Sequence, residues 1–298
     1  MWDGLVNLCI GKGKLKHPRH AAAYAGTGIG KRMNARKNRI RLLLASLPLV
    51  CFLLVPTAGL LLRVSPGDLL GSFLDPQSAQ AMRLSIYTTL ATVLLTILLG
   101  TPVAYLIARK EFPGKRALDA LIDLPIVLPP SVAGIALLAA FGRRGMPGAY
   151  LSSLGFEIPF TTLAVVMAQL FVASPFYVKT LAVAFASVDR DLEQAAAIDG
   201  ASAWQVFRRV TLPLSFRGAI GGAIMTWARA LGEFGATILF AGNFPGKTQT
   251  MPLAIYIGFE MDMHVALSLA AILLITSFAV LAVVKGLAGK WSGVPQDP

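Results

Sequence analysis

The sequence predicts an all-α integral membrane protein that crosses the bilayer six times, with both termini in the cytoplasm. Three observations lead there. Of 298 residues, 55% are hydrophobic and only 14% are charged, against about 25% charged in a typical soluble domain. Mean hydropathy is +0.67, and the apolar residues gather in runs long enough to cross the hydrocarbon core, which takes about 20 helical residues. The basic residues fall unevenly among the connections between those runs, as an orientation signal does. This composition excludes a disordered chain and an ordinary soluble enzyme.

The chain opens with a basic leader, residues 1–40, expected to be disordered and cytoplasmic. Its Gly26-Thr27-Gly28-Ile29-Gly30 stretch is flanked by lysines. Met33 heads a short basic stretch before the first apolar run, so translation starting at Met1 and at Met33 are both compatible with the sequence. That first run is a retained anchor and not a signal peptide: its basic region and apolar core are too long, and no small-residue cleavage pattern follows.

A membrane domain is expected over 41–285, with spans at 42–62, 84–108, 120–141, 162–185, 219–241 and 265–284. The third contains Pro125, Pro129 and Pro130, the fourth Pro175, and the fifth two charges, Arg229 and Glu233. A short cytoplasmic tail, 286–298, completes the chain.

Net charge is +12, from 27 Lys and Arg against 15 Asp and Glu. With the N-terminus inside, 20 basic residues lie on the cytoplasmic side, and only Arg63, Arg83, Arg143, Arg144 and Lys247 lie outside. That asymmetry fits the positive-inside rule. It removes the other meaning of a basic chain, a nucleic-acid partner, since no aromatic-basic face accompanies the charge. Cys9 and Cys51 are far apart, and His17, His20 and His264 form no ligand spacing, so neither a disulfide framework nor a metal site is expected.

Two stretches imitate a phosphate-binding loop and fail. Gly246-Lys247-Thr248 needs a glycine where Ala241 stands, and Gly30-Lys31 fails likewise at Ala25, with Arg32 in place of the magnesium-binding hydroxyl. No cofactor and no nucleotide hydrolysis are expected of this chain, and no catalytic residue is assigned.

The longest cytoplasmic connection, 189–213, has its own local code. Asp189, Asp191 and Glu193 crowd the first turn of a helix, where acids complement its dipole. Gly200 is placed to end that helix in a left-handed conformation. Ser202 and Gln205 form an S-x-x-Q capping box that starts a second helix, which Pro213 limits. Such short helices are not stable alone. Either they rest on lipid headgroups, or they dock a soluble partner that Ala195, Ala196 and Ala197 allow to approach closely.

This loop resembles the E-A-A-x-x-x-G-x9-I-x-L-P motif of permease subunits in binding-protein-dependent ABC importers. Here it reads Gln194-Ala195-Ala196, Gly200, then Val210-Thr211-Leu212-Pro213. Gln194 replaces the motif's acid, and the neighbouring Glu193 is the other candidate for its polar contact. The resemblance covers about residues 40–285. Within the family, the molybdate branch is the nearest likeness, on Leu124-Pro-Ile-Val-Leu-Pro-Pro-Ser-Val-Ala-Gly134, Phe141-Gly-Arg-Arg-Gly145, Ala228-Arg-Ala-Leu-Gly-Glu-Phe-Gly-Ala236 and Ala241-Gly-Asn-Phe-Pro-Gly-Lys-Thr248. Sulfate permeases share much of the fifth-span pattern.

The resemblance implies a type I importer fold and a homodimer around a central path in a bacterial or archaeal cell membrane. It implies an external solute-binding protein and two cytoplasmic ATPase subunits that consume the ATP. Glu193, Gln194, Ala195, Ala196, Gly200, Leu212 and Pro213 would then couple to the ATPase. The cargo is expected to be a tetrahedral oxyanion, molybdate first, with tungstate or sulfate and thiosulfate as alternatives. A secondary transporter is the distant alternative and would need ion-coupling carboxylates in its spans; only Glu233 qualifies.

Within the fifth span, Gly222, Thr226, Arg229, Glu233 and Thr237 share one helical face if the helix is continuous. Ionisable residues inside a membrane usually face a bundle interior or an aqueous cavity. The stripe is therefore either a charge pair that locks helices or part of the translocation path. Pro125, Pro129 and Pro130 should break the third span, and Ser131 beside the break could line the path. Lys179 is read as an end-of-span residue reaching for the interface. Glu157, Glu260 and Asp262 are candidate contacts for an external partner, or ordinary solvated acids.

Overall fold

The structure, a computed structural model, describes residues 21–291. Residues 1–20 and 292–298, and the side chains of 21–40, 285 and 287–291, lie outside the description. Half of the expected leader and most of the expected tail therefore fall outside the described residues. All regular elements among those described are helices.

The first, α1 (Ala21–Leu62), belongs as far as Gly59 to a unit of its own. It begins about twenty residues before the expected anchor, so the helix takes in the second half of the expected leader. Extending an existing helix costs far less than nucleating one, and Ala21-Ala22-Ala23 is a favourable start.

The second unit starts at Leu60. Helix α2 (Pro66–Leu74) is opened by a capping box between Ser65 and Asp68, and α3 (Pro76–Arg109) is capped by Asp75, whose side chain accepts from the Ser78 N–H. Then come α4 (Lys115–Val127), α5 (Pro130–Phe141), α6 (Met146–Ser153) and α7 (Thr162–Ala186). The segment from 189 to 213 holds α8 (Arg190–Ile198), α9 (Ala203–Val206) and a π-helical turn, Phe207–Thr211. Helices α10 (Leu212–Leu231), α11 (Gly235–Phe240), α12 (Met251–Met261) and α13 (Met263–Trp291) complete the unit.

By length and composition α1, α3, α7 and α13 can each cross a membrane, and α4 with α5 makes a fifth span if the bent pair counts as one. The third expected span is thus two helices meeting at a bend of 117°. Two consecutive prolines explain the break. Leu128 (ψ 134°) and Pro129 (ψ 136°) are both extended, the conformation favoured by a residue that precedes proline. Pro125, expected to share in the break, and Pro175 sit instead inside unbroken α4 and α7.

The fifth expected span is also not continuous. Helix α10 has the length of a span, but three glycines, Arg217 and Arg229 make it less apolar than the others. It stops at Leu231, and α11 restarts at Gly235. Gly232 and Gly235, poor helix formers, flank the interruption.

Helix α7 is the centre of this unit, packing on α3 along one side and on α10 along the other. The α3 face is a buried stripe of small residues: Ser78, Ala81, Ser85, Thr88, Thr92, Thr96, Gly100 and Ala104. Small residues let membrane helices approach closely where lipid offers no hydrophobic drive. Toward one end the core is Ala104, Tyr177, Val178, Leu181 and Phe185; toward the other it is Ala133, Leu137, Val165, Ala168 and Phe240.

Candidate functional site

The loop from 189 to 213 folds largely as its caps dictate. The Asp189 carboxylate accepts the Asp191 N–H at 2.9 Å and opens α8. Gly200 adopts φ +87°, a left-handed conformation that a side chain would strain. The Ser202 hydroxyl then accepts from the Gln205 N–H, and the Gln205 side chain accepts from the Ser202 N–H at 2.8 Å.

Pro213 does not end the second helix. The chain runs from α9 through the π-helical turn straight into α10, with the Leu212 N–H donating to the Phe207 carbonyl five residues back. The wider turn accommodates a proline that an ordinary α-helix would set against the carbonyl four residues earlier.

Glu193 points into the protein. Its Oε1 accepts from Arg109 Nη2 at 3.0 Å and from the Thr211 hydroxyl at 2.6 Å, and Arg109 Nη2 also donates to the Val188 carbonyl at 2.8 Å. Gln194 and Ala195 are exposed, as are Gly200 and Pro213, while Ala196 and Leu212 are half-buried. Around them Leu192, Ile198 and Trp204 present large apolar side chains, Ile198 at 86% exposure. Trp204 stacks on Phe207 at 5.5 Å, and Phe207 meets Tyr105 of α3 edge-on at 5.1 Å and Phe185 of α7 at 6.0 Å. Sequence reasoning missed Arg109, Thr211, Trp204 and Phe207. Arg109 entered it only as one of the charges that orient the chain.

The path candidates divide. Arg229 Nη2 and Glu233 Oε2 are 2.8 Å apart, with the Glu233 side chain 1% exposed and that of Arg229 29% exposed. The other oxygen of Glu233 accepts the Ala236 N–H at 2.8 Å, so the carboxylate also caps α11. Thr226 is buried against α7, its hydroxyl donating to the Ala173 carbonyl at 3.2 Å, and Gly222 is buried beside Tyr177. The supposed five-residue stripe is therefore a packing face at Gly222 and Thr226, and it loses its helical register beyond Leu231. Thr237 is fully buried.

Pro129, Pro130 and Ser131 lie exposed at the elbow between α4 and α5. The two broken segments touch there. A Cβ on Gly235 would stand 2.8 Å from Pro130 Cβ and 3.4 Å from the Ser131 nitrogen, and one on Gly134 would stand 2.8 Å from the Ala236 carbonyl oxygen. Ser131 is thereby brought beside the segment that carries Arg229 and Glu233.

Lys179 does more than reach for an interface. Its Nζ lies 2.7 Å from Asp119 and 2.8 Å from Asp123, tying α7 to α4. Neither aspartate was anticipated, because only the bend of the chain brings them to Lys179. Of the acids offered as contacts for an external partner, Glu157 is paired with Arg143 at 2.7 Å, which holds its carboxyl below the ordinary range through hydrogen bonding and charge. Asp262 accepts the His264 N–H at 2.9 Å.

The family described as the binding-protein-dependent transport system inner membrane component matches residues 97–287. Molybdenum transport system permease protein ModB of Mycobacterium tuberculosis is 42% identical over 232 residues, 78% of this chain and 88% of that one. The probable transport system permease protein NifC of Clostridium pasteurianum is 39% identical, over 76% and 79% of the two chains. The molybdate/tungstate transport system permease protein WtpB of Thermococcus kodakarensis is 36% identical, over 81% and 92%. Among solved structures, a bacterial ABC transporter involved in the import of the acidic polysaccharide alginate shares the fold, with a TM-score of 0.66 at 17% identity over 89% of this chain and 100% of that one.

Proposed function

The chain belongs to the family of binding-protein-dependent transport system inner membrane components, and from that premise we propose that it is the membrane-spanning permease of an ATP-driven importer of molybdate. It is a multi-pass protein of the cell membrane. The observation that carries the proposal is the loop at 189–213. A helix pair too short to stand alone exposes Leu192, Ile198 and Trp204 around Gln194-Ala195, and such a surface needs a partner. The partner is a cytoplasmic ATPase subunit, one for each permease of a homodimer. Gln194, not Glu193, meets it, because Glu193 is engaged within its own chain. ATP is bound and hydrolysed there, and this chain holds no cofactor.

The packing supports a reading with six crossings. Arg109 at the end of α3 donates to Val188 just past α7, so both helices end on the same side. The connection between them, α4 to α6, must therefore cross once, and the elbow pair makes that crossing. Thr211, which leads into α10, is bonded to the same Arg109–Glu193 cluster, so α10 and α11 carry the chain back out. With α1 and α13 as the remaining two crossings, this reading would put both termini in the cytoplasm.

Closure of the ATPase subunits on ATP would move the loop and rock the spans between inward-facing and outward-facing states. The cargo would pass where the two broken segments meet, beside Ser131, Arg229 and Glu233. A bare Arg229 would hold a dianion firmly, and Glu233 offsets it, which leaves the path polar but of low affinity. Selectivity then resides in an external binding protein. The names of the relatives favour molybdate and admit tungstate.

The test is uptake of radiolabelled molybdate by vesicles holding the permease, its ATPase subunit and its binding protein. Uptake should require ATP and compete with tungstate more strongly than with sulfate. Undiminished uptake without the ATPase subunit would overturn the proposal.

A further inference from the structure

We infer that Arg109 is the positioning residue through which movement of the docking loop reaches the membrane helices; this rests on the reading of 189–213 as the ATPase-docking loop. Helix α8 is nine residues long and none of them is buried. A push on its exposed Gln194–Ala195 face would bend or tilt so short a helix unless something braces it from behind. The brace is one carboxylate oxygen. Glu193 Oε1 takes hydrogen bonds from Arg109 Nη2, at the C-terminal end of the 34-residue α3, and from Thr211, at the start of α10. Arg109 Nη2 adds the Val188 carbonyl, which fixes the entry to α8. Three segments, α3, the loop and the root of α10, therefore share one joint.

The joint suits a transmission role better than a surface role. The Arg109 side chain is only 6% exposed and that of Glu193 only 18% exposed, so their attraction is little screened by water. A guanidinium offers its donors in a fixed planar fork, which sets directions as well as distances. Arg109 also sits where the last carbonyls of α3 favour a cation. One turn back along α3, Tyr105 receives Phe207 edge-on, and Phe185 of α7 closes the same cluster. The polar joint and the aromatic one thus grip α3 at adjacent turns. A load applied at Trp204, which stacks on Phe207, is delivered to the same helix end as a load applied at Gln194.

The test uses the complete importer in proteoliposomes, with Arg109→Gln, Arg109→Lys, and the exchange Arg109→Glu with Glu193→Arg. Four quantities are read: co-purification of the ATPase subunit, basal ATP hydrolysis, its stimulation by molybdate-loaded binding protein, and molybdate imported per ATP. Arg109→Gln should co-purify with its ATPase and hydrolyse ATP, yet lose stimulation and import at least tenfold less molybdate per ATP. Arg109→Lys keeps the charge without the fork and should lie between, and the exchange should recover part of the loss. A merely structural role would lower yield or thermal stability and leave the import-to-hydrolysis ratio unmoved in whatever assembles.

An assembled Arg109→Gln importer with wild-type stimulation and ratio overturns the inference. If Arg109→Gln does not assemble, the ratio in Arg109→Lys decides in the same way. A parallel Ala195→Trp variant on the exposed face separates the two readings. If it leaves co-purification intact, the docking assignment itself fails, whatever Arg109 does.

Discussion

Arg229 and Glu233 pair at 2.8 Å across the end of α10, and the same carboxylate caps α11 through the Ala236 N–H. One residue thus serves as counter-ion and as helix cap. Glu233→Gln keeps an acceptor for the cap and removes the charge. It should fold, bind its partners and import molybdate several-fold more slowly, because an uncompensated Arg229 retains the anion. Glu233→Ala removes both roles and should in addition cost about 1–3 kcal/mol, seen as a lower unfolding temperature in detergent. Transport and folding unaltered in Glu233→Gln would mean that the pair has no functional weight.

Ile198 and Trp204 are exposed at 86% and 66% on the loop face proposed to dock the ATPase subunit. Ile198→Asp should abolish co-purification of the ATPase subunit while the permease itself elutes normally on size exclusion. Trp204→Ala removes an aromatic anchor of the kind that dominates interfaces and should weaken the complex by about 2 kcal/mol, or roughly thirtyfold in Kd. Unchanged association in a titration with the isolated ATPase subunit would count against this face.

A side chain on Gly235 would press on Pro130, whose Cβ would be 2.8 Å away. Gly235→Val should therefore spread the contact between the two broken segments. Overpacking of this kind costs about 1–3 kcal/mol, measurable as thermal destabilisation. It should lower import with little effect on ATPase association, since the elbow is remote in the chain from 189–213.

Arg143 and Glu157 tie together the two ends of the connection between α5 and α7. Because Arg143 lowers the Glu157 carboxyl below its ordinary value of 4.5, the pair contributes fully above the ordinary glutamate range. Its contribution fades as pH falls through the lowered folded value. Both groups are well exposed, so the effect is small. Amide exchange in α6 should speed up as the pH drops below that range, after correction for intrinsic rates. In Glu157→Gln it should be faster at neutral pH and lose this acid-dependent step.

What the sequence discloses and what it conceals divide along a physical line. Signals that act within one turn of chain are legible: the Ser202–Gln205 capping box, the left-handed Gly200 and the break ahead of Pro130 all stand where residue type places them. Proline marks where a ladder fails but not by how much the chain then turns, so the 117° bend was not foreseeable. The charge count along the chain treated Arg109, Asp119, Asp123, Lys179 and Glu193 separately, and only tertiary structure makes partners of residues that lie 56 to 84 positions apart. The fifth-span stripe failed for a related reason. Spacings of three and four define a face only while the helix continues, and Glu233 spends its carboxylate on starting a new one.

The π-helical turn at Phe207–Thr211 has a consequence for how this protein tolerates change in length. It lodges one residue more than an α-helical turn would hold, and each residue of an α-helix advances the azimuth by about 100°. The wide turn absorbs that extra residue, so deleting a single position there would let the backbone relax to ordinary α-helix with Trp204 near its present bearing relative to α10, whereas the same deletion inside α10 would swing the segments on either side by about that angle. The turn is thus a spare residue kept in the backbone, and a change of length is better tolerated at Phe207–Thr211 than in the regular helix that follows.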